Sequence, residues 1–161
     1  MRDILIYLPL KEYLAQWFIH EMGGSPVQLP KRSAESDIIQ FFLIPTPEGV
    51  VPSTSEPGTV AICLPFYKYK DPRTYNYLPP KAQKALARCI ETRFKIQLWQ
   101  DLHTLHNQAC PITDIIYAWM EMHGIELSEK NWETIRQMYF RKRKTYLKKL
   151  KKKNTDIVEE N

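Results

Sequence analysis

With 161 residues, 43% of them hydrophobic and 12% aromatic, the chain has enough apolar material for one compact domain or two small ones, which excludes an intrinsically disordered protein. No apolar run reaches the roughly 18 residues of a transmembrane helix. The formal net charge is +5 and its surplus is local: ten of the 23 cations lie between Arg136 and Lys153 with no acid among them, whereas residues 1–135 carry 13 basic and 15 acidic side chains.

In chain order, Asp3 to Leu8 is a β-branched apolar run closed by Pro9, which predicts a buried strand. Its first ten residues lack the length and the cleavage site of a signal peptide, so a cytoplasmic chain is expected. Lys11 to Met22 places Tyr13, Leu14, Trp17, Phe18 and Met22 at helical spacing, and Gly23-Gly24 ends that helix. Val27 to Leu29 is a second short extended piece. Ser33, or Ser36-Asp37, caps a helix through Phe42 whose packed side would be Ile38, Ile39, Phe41, Phe42 and Leu43. Pro45 to Gly58 is turn chemistry throughout and predicts a mobile surface loop with no ionisable cluster. Thr59 to Phe66 resumes a β pattern and should pair with the first strand. Three short strands and two helices over residues 1–66 therefore form an α+β unit, suited to a protein partner or a homodimer contact.

Residues 67–80 interleave Tyr67, Tyr69, Tyr75 and Tyr77 with Lys68, Lys70 and Arg73, as a connector between units. Two readings fit. Alternating rings and cations stack on bases and pair with phosphates; aromatics flanked by prolines equally pack a loop against a domain junction, and with only three cations the packing reading is preferred. Lys68, Tyr69, Lys70, Arg73, Tyr75 and Tyr77 form the secondary nucleic-acid candidates.

Pro79-Pro80 opens a long helix to about His106 along the stripe Leu86, Ile90, Phe94, Leu98, Leu102 and Leu105, about 40 Å at 1.5 Å per residue. Pro111 to His123 is a further helix ended by Gly124. Ser128 then caps a basic helix to Lys153, with Leu127 and Trp132 spaced as a hydrophobic staple. Trp132, Ile135, Tyr139, Tyr146 and Leu150 would bury one face, leaving Arg136, Arg141, Lys142, Arg143, Lys144, Lys148 and Lys149 on the other. Residues 154–161 form an acidic tail.

Helix, glycine turn and capped basic helix over residues 81–153 make a three-helix unit laid out like a helix-turn-helix. The first turns of its last helix would present Lys130, Asn131, Thr134 and Gln137 to base edges, backed by Arg136 and Arg141. Ala118 lies six residues before Gly124 rather than four, which favours a looser, homeodomain-like arrangement with a long last helix. Glu129 and Glu133 on the same turns oppose phosphate, so contact through the lysine-rich half alone is the alternative. A solvated helix end is the plainer reading of the lysines; four consecutive cations at 141–144, which repel in an isolated helix, favour a polyanion.

Leu8–Gly24, Lys31–Ser36, Lys70–Pro80 (KDPRTYNYLPP), Leu98–Leu102 and Ala118–Ile125, and above all Lys70–Pro79, resemble a family of small bacterial proteins from gut anaerobes and their mobile elements, over about residues 4–146. That resemblance implies a bacterial, cytoplasmic setting and carries over no catalytic residue.

No Gly-rich phosphate loop exists, and the carboxylates are scattered without a motif that pairs acid with base. His103, His106 and Cys110 suggest metal-ligand spacing, but histidines at a helix end are better explained by the helix dipole. Cys63, Cys89 and Cys110 lack a CxxC and read as reduced, mostly buried thiols. Neither enzyme, cofactor nor metal is expected. The expectation is an α+β protein that binds double-stranded DNA through residues 130–149 as a transcriptional or mobile-element regulator. An adaptor that binds only protein and an RNA-binding protein are the alternatives. An anionic membrane surface ranks last, because Tyr and Leu of the last helix are needed for packing.

Overall fold

The computed structural model describes residues 3–106, 108 and 110–160; Met1, Arg2 and Asn161, the outer ends of the expected N-terminal unit and acidic tail, lie outside them. The protein is α+β. Its elements are β1 (Leu5–Pro9), α1 (Glu12–Glu21), β2 (Val27–Gln28), α2 (Ala34–Phe42), β3 (Ile44–Pro45), β4 (Thr59–Cys63), β5 (Tyr75–Tyr77), α3 (Pro80–His106), α4 (Ile112–Met122) and α5 (Glu129–Glu159). Two compact units result, one ending at Phe94 and one beginning at Lys95, inside α3. The boundaries expected from the sequence are 66 and 80. The first unit runs further because β5 pairs with β3 and because Ala82, Leu86, Ile90 and Phe94 of α3 are buried.

In the first unit, β4 lies between β1 and β2, antiparallel to β1 and parallel to β2. Alternation decides the faces: Ile6, Leu8, Val60 and Ile62 are buried, while their neighbours Leu5, Tyr7, Ala61 and Cys63 are half-exposed. Tyr13, Leu14, Trp17 and Phe18 of α1 are buried as predicted, and Phe94 packs its ring against Tyr13 and edge-on against Trp17, each at 5.3 Å. Full burial of each such aromatic or aliphatic side chain contributes about 1.5–3 kcal/mol.

α2 begins where predicted, with Ser33 Oγ accepting from the Ser36 N–H at 3.1 Å. Its packed side differs from the expectation. Glu35, Ser36, Ile39 and Leu43 are buried, whereas Phe41 is 76% exposed and Phe42 is exposed as well. Residues 35, 39 and 43 share one stripe at i, i+4 spacing, and distant partners make its polar members tolerable: Arg93 pairs with the Glu35 carboxylate, and the Tyr67 hydroxyl meets Ser36 Oγ at 3.0 Å.

Candidate nucleic-acid interface

The two basic stretches singled out from the sequence meet different fates. In residues 67–77, Lys70 Nζ donates to the carbonyls of Phe41 and Leu43 at 3.0 and 2.9 Å, satisfying oxygens left open at the C-terminus of α2. Arg73 forks onto Asp71 and holds that carboxyl below its usual range. Tyr75 and Tyr77 are half-buried in β5. Lys68, Tyr69 and Arg73 are exposed, the Lys68 ammonium lying 5.4 Å from the centre of a Tyr69 ring that is 81% exposed. Packing therefore accounts for Lys70, Tyr75 and Tyr77, which leave the set of secondary candidates, while Arg73 is exposed and paired with its neighbour Asp71.

α5 starts as expected, with Ser128 Oγ accepting the Asn131 N–H at 3.1 Å. Much of the rest of its first two turns is engaged by the protein itself. Asn131 is 2% exposed and donates its side-chain amide to the Glu126 carbonyl at 3.2 Å, so it cannot reach a base edge and is withdrawn as a reading residue. Trp132 stacks on Tyr117 with ring centres 5.5 Å apart, while Leu127 is exposed; the start of the helix is pinned through Tyr117 rather than by the expected staple. Glu133 accepts from Arg136 at 3.3 Å and from Gln137 at 3.1 Å, and the Arg136 guanidinium also lies over Trp132 and Phe140. The Thr134 hydroxyl donates to the Lys130 carbonyl at 2.9 Å. Of the proposed base contacts, Lys130 alone is exposed with its side chain uncommitted among the described residues.

Further along, Ile135 and Tyr139 are buried. The Tyr139 hydroxyl meets His106 Nδ1 at 2.9 Å and accepts from Arg143 at 3.5 Å. Trp99 lies against both Tyr139 and Tyr146, and His103 stacks on Trp99 with a centre distance of 4.4 Å. The two histidines weighed as metal ligands thus belong to an aromatic cluster that seats α5. Burial, with Arg143 and His103 beside it, lowers the His106 pKa below the ordinary 6.5. Among the described residues no group of three His, Cys, Asp or Glu is arranged to hold a metal. Cys63 and Cys89 are partly buried and Cys110 is exposed, contrary to the expectation of mostly buried thiols.

Sequence reading missed this cluster and a second one, in which Trp119 Nε1 donates to Asp101 at 2.9 Å with His123 3.9 Å from the same oxygen. The signal available was the i, i+4 spacing of Trp99 with His103 and of Trp119 with His123.

Beyond Arg143 every residue of α5 is exposed. The helix also continues through Glu159, so most of the expected tail is its last turns. At about 100° per residue, Arg141, Lys142, Lys144, Lys148, Lys149, Lys151, Lys152 and Lys153 fall on an arc of roughly 200°. On the remaining side Tyr146 packs against Trp99 and His103, whereas Leu147, Leu150, Ile157 and Val158 are exposed, so the tyrosine is used in packing as expected and Leu150 is not. Arg136 and Arg143, the two cations on the apolar side, have partners in the protein. Those eight on the arc have no ion pair among the described residues. They crowd into about 18 Å of helix, with like charges at i, i+4 in Lys144/Lys148, Lys148/Lys152 and Lys149/Lys153. Such pairs cost about 0.2–0.5 kcal/mol each, a repulsion that a polyanion relieves.

No helix of the described residues is long and apolar enough to cross a membrane. No family model, curated protein or solved structure matches the chain.

Proposed function

We infer that this is a cytoplasmic DNA-binding protein, a transcriptional or mobile-element regulator, that holds duplex DNA through the distal half of α5. One observation supports the reading: eight cations without an ion pair among the described residues share one arc, while the two on the opposite side are taken up by Glu133 and Tyr139. DNA presents a charge every 1.7 Å or so, and neutralising phosphates releases condensed counterions. The contact is with phosphate; buried Asn131 and the Glu133 network leave little at the head of α5 to read bases. A continuous basic helix laid along the major groove, rather than a compact helix-turn-helix reading head, is the geometry this suits.

Fluorescence anisotropy with a 20-base-pair duplex, a single strand and an RNA hairpin across a salt series tests it. The duplex should bind tightest, and its affinity should fall steeply with salt, log K against log salt having a slope of about −0.9 per phosphate neutralised. A salt-independent affinity rejects the proposal; preference for the hairpin moves it to RNA. The second reading, a protein-binding adaptor, draws on the exposed apolar side of the same helix and would show as a complex that survives high salt.

A further inference from the structure

We propose that the open edge of β1 binds an extended, uncharged peptide as an added strand. The antiparallel register places alternate main-chain groups of β1 on opposite sides. Leu64 N–H donates to the Ile4 carbonyl and Leu10 N–H to the Gly58 carbonyl, so Ile4, Ile6, Leu8 and Leu10 point their amides and carbonyls at β4. Leu5 and Tyr7 therefore point theirs away from β4, and with β1 outermost in the sheet they have no main-chain partner among the described residues.

That edge does not open onto a flat surface. A groove of about 420 Å³ runs beside it, floored by residues 4–8 and walled by residues 50–53 of the long loop, by residues 76–78, and by Thr46 and Gln83. The size falls within the range of pockets that hold small ligands. Three of its polar side chains are already engaged, since the Thr46 hydroxyl donates to Asn76 at 2.6 Å and the Gln83 amide to the Leu78 carbonyl at 2.8 Å. The edge itself offers a ligand two N–H donors and two carbonyl acceptors spaced as in a strand, with the hydroxyls of Ser53 and Tyr77 on the walls beside them. Main-chain groups in that array recognise another main chain, which is strand addition to a sheet edge.

The lining settles the character of the peptide. It holds no Asp, Glu, Lys, Arg or His, and it presents Val50, Val51, Pro52 and Tyr77 beside the neutral Ser53. An incoming strand thus carries neutral, largely apolar side chains at alternate positions. The five residues of β1 set its length at about 17 Å. The loop walls disfavour a second globular sheet edge, which would need both rims clear.

The test uses the full chain, ¹⁵N-labelled, with a library of end-capped heptapeptides built from Val, Leu, Ile, Phe, Thr and Ser. The proposal expects members that bind at micromolar concentration and slow exchange of the Leu5 and Tyr7 amides roughly tenfold or more. Methylating the main-chain nitrogens of the best peptide should abolish that protection. Val51→Arg, at a side chain 82% exposed and so harmless to folding, should weaken binding at least about tenfold, or 1.4 kcal/mol. Absence of binding at about 1 mM peptide, or binding that leaves both amides exchanging as before, overturns the proposal. A concentration-dependent dimer that protects the same two amides would assign the edge to a second copy and overturn it equally.

Discussion

Residues 67–77 and residues 139–153 are both mixtures of tyrosine with lysine and arginine, yet the fold uses them in opposite ways. In the first, carbonyls at the end of α2 and the Asp71 carboxylate lie within reach of Lys70 and Arg73, and the cations become struts. In the second, Arg143 finds the Tyr139 hydroxyl, while the cations on the other side of the helix find no acid among the described residues, the next ones in the chain beginning at Asp156. Composition alone therefore does not mark an anion-binding surface. The difference lies in which acceptors the fold brings near each charge, and only charges left without one keep their full attraction for a partner.

The comparison can be broken most easily at its strong end. Replacing Arg141, Lys142 and Lys144 together by Ala should lower duplex affinity by about a hundredfold near 0.1 M salt and flatten the salt slope by up to about 2.7. Anisotropy across a salt series measures both. The matching triple Lys68, Lys70 and Arg73→Ala should leave that slope unchanged; an equal loss would show that the two stretches are not different in kind.

A smaller effect separates packing from reading within α5. Asn131→Ala should destabilise the fold by about 1.5 kcal/mol, because a buried side-chain amide loses its hydrogen bond to the Glu126 carbonyl, which keeps the Ser128 N–H, with affinity at saturating folded protein unaltered. Denaturant melts and anisotropy together decide it. Lys70→Ala should be milder still, about 1 kcal/mol in the same melts, since it removes two hydrogen bonds at a partly exposed helix end.

The faintest effect is on pH. His106 has a folded pKa lowered from 6.5, chiefly by burial, so folding favours its neutral form. Its contribution is complete above pH 6.5 and is lost as pH falls through the lowered folded value. His106→Gln should remove that part of the acid sensitivity in melts between about pH 7 and pH 5. An unchanged pH profile would remove His106 from the seat of α5.

Much of the fold was legible because it rests on local chemistry. Ser33 and Ser128 cap the helices that they precede, glycines close α1 and α4, and the β-branched runs at 5–9 and 59–63 pair with each other. What was illegible depends on partners far along the chain. Glu35 and Ser36 are buried because Arg93 and Tyr67 reach them from 58 and 31 residues away, which no periodicity rule registers, and Phe41 and Phe42 were assigned to the core in their place. β3 and β5 are two and three residues long, one of them containing Pro45, and carry no alternation to find. In the candidate interface the charge was visible and its partition was not. That Arg136 and Arg143 have protein partners while Lys148 and Lys149 have none follows from Glu133, Tyr139 and the end of the packed stripe.

The most direct test of that partition is lysine footprinting: brief acetylation of the free protein and of its complex with a 20-base-pair duplex, read residue by residue by mass spectrometry. Lys142, Lys144, Lys148, Lys149, Lys151, Lys152 and Lys153 should be protected in the complex while Lys68 and Lys81 stay as reactive as before. Uniform protection along the chain, or none on the distal half of α5, would contradict the account.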